Sequence, residues 1–339
     1  MGTTPVMPRP WPTEPRQSAD VATRMAWYAA VARWAPSKHN TQPWRFVLGQ
    51  DTLEIWADPM RLLTATDPHR REVTISCGAA VETACVAARA HGYELDVTPQ
   101  PGGPGGPLAR LAEVGPWDST EIDRALLAAV PRRRTDRGPL DADLAPSDLR
   151  FNLQSAAQEC GAWLRLVSTP GDRATLASLV ERADRLLVRR TGVDAELAPW
   201  MREPGDPRAD GVPTDHTRGA AASYRAEFVQ RDFSSSTSLP AQDRPGRDAP
   251  IVGVLCTSGD RPPDWLQAGR ALAAILLRAA AVGVHASYLN QPVEHVAIRA
   301  ELREHLGLPG VAQLVLRLGV GGEVSAPPRR DPDDVTFEL

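Results

Sequence analysis

The chain has 339 residues, a net charge of −4 and a hydrophobic fraction of 42%, which is enough apolar residue for a core and argues against global disorder. This charge balance offers no broad basic face for nucleic acid, and no run approaches ~18 uninterrupted apolar residues, so neither nucleic acid nor membrane is expected as a partner. The four cysteines, Cys77, Cys85, Cys160 and Cys256, form no Cys-x-x-Cys pair, so free thiols in a reducing cytoplasm are expected and no metal site.

Residues 1–17 are proline-rich, lack an apolar signal core, and read as a flexible arm. Ser18 and Asp20 are good N-caps for a helix carrying Val21, Met25, Tyr28, Ala29 and Ala32, which must stop before Pro36. A dense polar turn follows, and then 44–48 and 53–57 read as a hairpin. A long helix is predicted over 73–91 with Gly92 closing it, then strands at 93–98 and 108–114. The remaining chain predicts helices at 121–130, 146–160, 172–190, 265–282 and 294–306. Strands are predicted at 162–167, 251–257, 285–289 and 313–318, ahead of a glycine-arginine tail. Between 199 and 250 the periodicity collapses into Pro, Gly, Asp and Ser with isolated Trp200, Met201, Tyr224, Phe228 and Phe233. A loop this long inside a compact domain is either functional or disordered.

The most informative stretch is Ala35-Pro36-Ser37-Lys38-His39-Asn40-Thr41-Gln42-Pro43-Trp44-Arg45-Phe46. Prolines stiffen it, and its hydroxyl and amides suit a flat polar ligand edge; a surface turn with local capping is the plainer alternative. It also contains the only lysine of the chain, Lys38. Through Pro36, Ser37, Asn40, Gln42, Pro43 and Trp44 the string resembles the Pro-Ser-x-x-Asn-x-Gln-Pro-Trp loop of the nitroreductase family, whose members are FMN-binding α+β oxidoreductases.

Two glycine-bounded helical stretches have equal spacing, Gly78 to Gly92 and Gly269 to Gly283, and similar flanking order. They are either two unrelated alanine-rich helices or the mark of a duplication, and the flanking order favours duplication. Nitroreductases generally build their flavin sites across a homodimer interface. A duplicated chain would then be a pseudo-dimer in one polypeptide, monomeric as a molecule, similar to the Acg-like actinobacterial branch of the family. The expected organisation is an arm at 1–17, a first half at 18–118, and a second half at 119–339 with a lid-like insertion at 199–250.

The resemblance also implies site residues. Family members grip the FMN phosphate with an Arg-Arg-Ser-x-Arg motif, similar to Arg132, Arg133, Thr135 and Arg137 here. The isoalloxazine ring would meet Pro36, Ser37, Lys38, Asn40, Gln42 and Trp44 from the first half and Ser287, Tyr288, Leu289 and Asn290 from the second. Where many members carry Glu-Gly, this chain carries Asn290-Gln291. Gly319 and Gly321, with Arg329 and Arg330, resemble the C-terminal closure on the phosphate. The first half has the ring-reading loop and no arginine motif, and the second half the reverse, so one composite FMN site per chain is expected.

On this resemblance the flavin carries the chemistry, no catalytic side chain is required, and NAD(P)H would deliver hydride through flavin N5 to a small nitroaromatic or quinone. The alternative is an FMN-sequestering protein whose 199–250 lid excludes nicotinamide. The sequence has no Gly-x-Ser-x-Gly elbow, no Walker loop, no His-Glu-x-x-His and no strand-linked Gly-x-Gly-x-x-Gly. His39 faces either the flavin or solvent, and His285 reads as structural.

Overall fold

The computed structural model describes residues 11–99, 106–187, 192–203, 205–213, 227–229 and 247–339. Asp20 caps helix α1 (Val21–Ala32) by accepting the Thr23 amide at 2.8 Å. Strands β1 (Trp44–Leu48) and β2 (Thr52–Ala57) form the expected hairpin. Helix α2 (Arg71–His91) ends at Gly92, whose φ of 93° is the left-handed cap that glycine adopts most readily. Strands β3 (Tyr93–Pro99) and β4 (Ala109–Pro116) follow, then α3 (Glu121–Ala129), started by a Thr120–Asp123 capping box.

Next come α4 (Leu149–Glu159), β5 (Trp163–Leu166), α5 (Pro170–Leu187) and α6 (Val193–Leu197). Two short parallel strands, β6 (Met201–Arg202) and β7 (Val212–Pro213), close a strap. The chain continues through β8 (Ile251–Thr257), α7 (Pro262–Ala281), β9 (His285–Tyr288), α8 (Val296–His305) and β10 (Val311–Gly319), and ends in β11 (Thr336–Glu338).

The strands make two main sheets, ordered β11-β1-β2-β4-β3 and β5-β8-β10-β9. Leaving out β11, each sheet is antiparallel, and its four strands in chain order are arranged first-second-fourth-third. In each, a long glycine-containing helix, α2 or α7, links the second strand to the third. α2 and α7 pack together at the centre, with no room for a Cβ on either glycine at the crossing. One placed on Gly78 would lie 2.1 Å from the Leu266 carbonyl oxygen, and one on Gly269 would lie 2.0 Å from that of Ile75. α2 has the length and composition of a membrane span, but 89% of that window is buried inside the protein, as befits a core helix.

Three features differ from the sequence reading. From Trp11 onward the arm is docked: the Trp11 ring lies 5.5 Å from Trp34, and Gln17 Nε2 donates to the His91 carbonyl at 2.9 Å. The tail past Gly319 crosses to the first sheet and adds β11 in parallel to β1, a three-residue pairing too short to show in a local pattern. Phe228, expected in a lid, is 1% exposed in a core formed with α5, α8 and one face of the second sheet. Tyr224 and Phe233 lie outside the described residues.

Candidate active site

A cavity of about 170 Å³ opens between the loop after α1, the start of α2 and the segments around β9, more than tenfold the roughly 10–15 Å³ that one water needs. Its first wall is the loop after α1, of which Pro36, Ser37, Lys38, His39 and Asn40 line it. The loop is tightly coiled. His39, Asn40 and Gln42 have φ of 48°, 52° and 48°, left-handed values that cost non-glycine residues on the order of 1–3 kcal/mol each. Ser37 Oγ steadies the turn by accepting the Gln42 amide at 3.0 Å, and the Lys38 amide donates to Ser76 Oγ of α2 at 3.3 Å.

The loop amides are committed to protein partners. Asn40 Nδ2 donates to the carbonyls of Gly211 at 3.0 Å and Pro328 at 3.1 Å, while its Oδ1 accepts Arg329 Nη1 at 2.9 Å. Gln42, fully buried, donates Nε2 to the Ala209 carbonyl at 2.8 Å and accepts the Arg330 amide at 2.9 Å. These two side chains thus tie the strap and the C-terminal tail to the loop. The strap continues onto the cavity wall through Gly211, Val212 and Pro213. It is held by Asp210, which pairs with Arg202 and with Arg61 Nη1, the latter at 2.7 Å.

An extended segment after α3 forms the opposite wall. Residues two apart in extended chain share a face, and Arg133, Thr135 and Arg137 all line the cavity. Thr135 bridges in parallel to Ala286 at the β9 edge, with the Asp136 amide donating to the Ala286 carbonyl at 2.9 Å, which fixes that face. Arg132, off this face, is exposed and donates Nε to the Ala128 carbonyl at 3.1 Å. Gly319 and Gly321 let the segment approach β10. Cβ atoms on them would lie 2.9 Å from the Asp141 nitrogen and 2.3 Å from Asp136 Oδ2.

Arg133 is 6% exposed, burial lowers its affinity for its proton, and its buried Nε has no hydrogen-bond partner among the described residues. Arg329 stands one layer behind the wall. Burial first, then the charges of Arg133, Arg134 and Arg33, push its proton affinity far down, and its Nε is also unpartnered. This is a buried concentration of positive charge at one end of the cavity, arranged to accept an anion.

Ser287, Tyr288 and Asn290 line the cavity from β9 and the turn after it. Burial raises the Tyr288 phenol, partly offset by Arg133, Arg137 and a hydrogen bond with Thr135. Asn290 Oδ1 accepts the Val315 amide at 3.0 Å and pins the turn to β10. Leu289 points instead into the core between the second sheet and α8, and Trp44 is fully buried against Phe46, so neither reaches the cavity. Gln291, the second residue of the Asn290-Gln291 pair, lines the cavity as well, whereas the sequence reading missed Glu294 and the α2 contribution, Glu72, Ile75 and Ser76. No motif marks them; they arrive by packing alone.

No family model matches the chain. It is 32% identical over 316 residues to the Mycobacterium tuberculosis protein named "Putative NAD(P)H nitroreductase acg", across 90% of this chain and 92% of that protein. It is 33% identical over 291 residues to "Putative NAD(P)H nitroreductase Rv3131" of the same organism, across 84% of this chain and 81% of that protein. A solved FMN-bound nitroreductase from Desulfitobacterium hafniense aligns with 63% of this chain and 97% of its own at 12% identity, with a TM-score of 0.40.

Proposed function

Because this chain belongs to the nitroreductase family, alongside its mycobacterial relatives, we propose that the cavity holds FMN and that the protein is an NAD(P)H-dependent flavin oxidoreductase. The observation that carries this reading is Arg133, a buried guanidinium on the cavity wall with an unpartnered Nε and further arginines behind it. An unpaired buried cation is costly, and a phosphate removes that cost with charge-assisted hydrogen bonds. Arg133, Thr135 and Arg137 would hold the phosphate, with Arg329 reinforcing the field from behind. Pro36, Ser37, Lys38, Asn40, Ser287, Tyr288 and Asn290 would surround the ring. Gln42, Arg330, Gly319 and Gly321 would act through the shape of the wall, and Arg132, Trp44 and Leu289 would have no direct part.

When bound, FMN supplies two-electron transfer between NAD(P)H and an acceptor such as a nitroaromatic or quinone. The protein's part is to orient the two halves of the cofactor, exclude water and place charge. The shared strand order of the two sheets supports reading the chain as a duplicated unit, with halves at 18–118 and 119–339. Because the loop and the arginine segment come from different halves and meet at one cavity, one FMN per chain is the stoichiometry this reading requires.

The strap favours a second reading. Gly211–Pro213 lie on the wall and are tied to Asn40 and Gln42, as a cover that sequesters flavin would be. Extracted flavin should equal protein mole for mole, and two equivalents or none would overturn the composite site. Stopped-flow mixing with NADPH then separates the readings. Rapid bleaching supports the oxidoreductase, whereas bleaching that becomes rapid only when the strap is loosened supports sequestration.

A further inference from the structure

The arginine segment and β9 run side by side, and their pairing brings two hydroxyls together at the cavity wall. The Thr135–Ala286 bridge sets those two residues opposite each other, with their side chains on one face. Tyr288 stands two residues beyond Ala286 in β9 and shares that face, as Arg133 and Arg137 share it with Thr135. Arg133, Thr135, Arg137 and Tyr288 all line the cavity. The Tyr288 ring is half-buried and packs on the core of the second sheet, which contains Ala286 and Leu316, its partner across the ladder to β10.

The two hydroxyls are bonded to each other beside a cation that lacks a partner. Tyr288 shares a hydrogen bond with Thr135, and both Arg133 and Arg137 act on its phenol. Arg133 is buried, and its Nε has no hydrogen-bond partner among the described residues. Burial lowers its proton affinity, and the neighbour that offsets this is Tyr288. A pair of hydroxyls has two hydrogens and uses one between its members, so one is left for a ligand. A phenol is far more acidic than an aliphatic alcohol, so it makes the stronger bond to an anionic oxygen. With an anion present, the favoured order is threonine donating to the phenol oxygen and the phenol donating to the anion. Hydrogen bonds chained in this way polarise and strengthen one another.

We propose that Tyr288 is the hydroxyl donor to the phosphate of the bound flavin nucleotide, and that Thr135 acts through it, donating to the phenol oxygen from behind. The proposal rests on the flavin reading above and redistributes roles within it. The phosphate is read by guanidinium and phenol together, and Thr135 is a positioning residue one hydrogen bond removed. The aromatic face of Tyr288 stays on the wall that borders the flavin ring; the inference concerns its hydroxyl. Tyr288 thereby becomes a specificity residue, because a flavin that ends in a neutral hydroxyl gives the phenol and the buried guanidinium no anion to hold.

The test compares FMN with riboflavin and reads the phosphate directly. In fluorescence titrations of apoprotein, Tyr288→Phe should weaken FMN about 10- to 150-fold, the range for one hydrogen bond to a charged group, and leave riboflavin within about twofold. The phosphorus-31 resonance of bound FMN should shift in Tyr288→Phe, while the visible flavin spectrum, which reports the ring, stays as in wild type. Thr135→Val should give a smaller FMN-specific loss, about two- to tenfold, and should cost nothing further in the Tyr288→Phe background, because threonine acts through the phenol. A purely structural role would weaken both flavins together. If Tyr288→Phe does not fold, protein made with 3-fluorotyrosine, a more acidic phenol, decides: it should bind FMN more tightly and riboflavin unchanged. Equal weakening of the two flavins by Tyr288→Phe, a Thr135→Val loss that persists in full in that background, or fluorotyrosine protein with unchanged FMN affinity would overturn the proposal. Protein that takes up neither flavin would instead overturn the flavin reading. Inorganic phosphate then decides the donor: its phosphorus-31 line should broaden with wild type and not with Tyr288→Phe, and the same line in both would overturn the proposal.

Discussion

Gly78 of α2 and Gly269 of α7 meet back to back, so close that a Cβ on Gly269 would lie 2.8 Å from the Cα of Gly78 and 2.0 Å from the Ile75 carbonyl oxygen. The obstructing atoms are backbone, so the helices themselves must move to admit a methyl group. Gly269→Ala should therefore destabilise the protein by at least ~1–3 kcal/mol even though alanine is the better helix former. A lower urea midpoint with an unchanged slope is the expected result. Gly171→Ala, where an added Cβ meets nothing within 4 Å, is the control and should be neutral or mildly stabilising. Because Ile75 and Leu272 line the cavity from these same helices, Gly269→Ala should also weaken flavin retention.

The alternation along the arginine segment separates two neighbours. Arg133→Ala should weaken FMN by about 1.5–3 kcal/mol, the range for hydrogen bonds to charged groups, while leaving riboflavin nearly unaffected. Arg132→Ala, exposed and off that face, should change neither. Fluorescence titration of apoprotein with both ligands measures this. Equal weakening of FMN and riboflavin by Arg133→Ala would reject the phosphate assignment.

The strap should be acid-labile. Burial pushes the Asp210 carboxyl up, but hydrogen bonds and charge from Arg202 and Arg61 more than offset it and hold the group below its ordinary value. A depressed carboxylate contributes stability above its unfolded pKa, about 3.9 for Asp, and loses it as pH falls through the lower folded value. Pepsin cleavage in 199–213 should accelerate across that acid window. Asp210→Asn should reproduce the loosening at neutral pH as faster trypsin cleavage at Arg202 and Arg208, tenfold for each ~1.4 kcal/mol of local opening lost. Bound FMN should slow the cleavage, since the strap forms part of the cavity wall.

Phe228 gives a contrast between core and cover. It packs with α5 and the second sheet beneath the Arg173 guanidinium, 5.4 Å from its ring, and Arg173 in turn pairs with Glu227. Phe228→Ala should cost ~3–5 kcal/mol of global stability, read as a fall in the denaturation midpoint. FMN affinity of the folded fraction should stay close to wild type, whereas a residue covering the flavin would show the opposite pattern.

The sequence by itself determined the elements whose burial repeats locally. Asp20 and Gly92 mark the ends of α1 and α2, and period-2 and helical patterns placed β1, β2, β8, β10 and α7 within a few residues. The loop at 35–46 and the arginine segment were legible because each is continuous, with its chemistry inside a dozen residues. What only the tertiary structure decided are the meetings across long separations. Nothing near Asn40 or Gln42 in sequence announces that their amides bind the strap and the tail, because those partners lie about 170 and 290 residues away. The same holds for Lys38, Glu72 and Glu294, three ordinary charged residues until the packing of α2 against the loop and the β9 turn removes their water. Local pattern reports which face of a segment is buried; what it is buried against is set by the close approach of α2 to α7 and the crossing of the tail to β1.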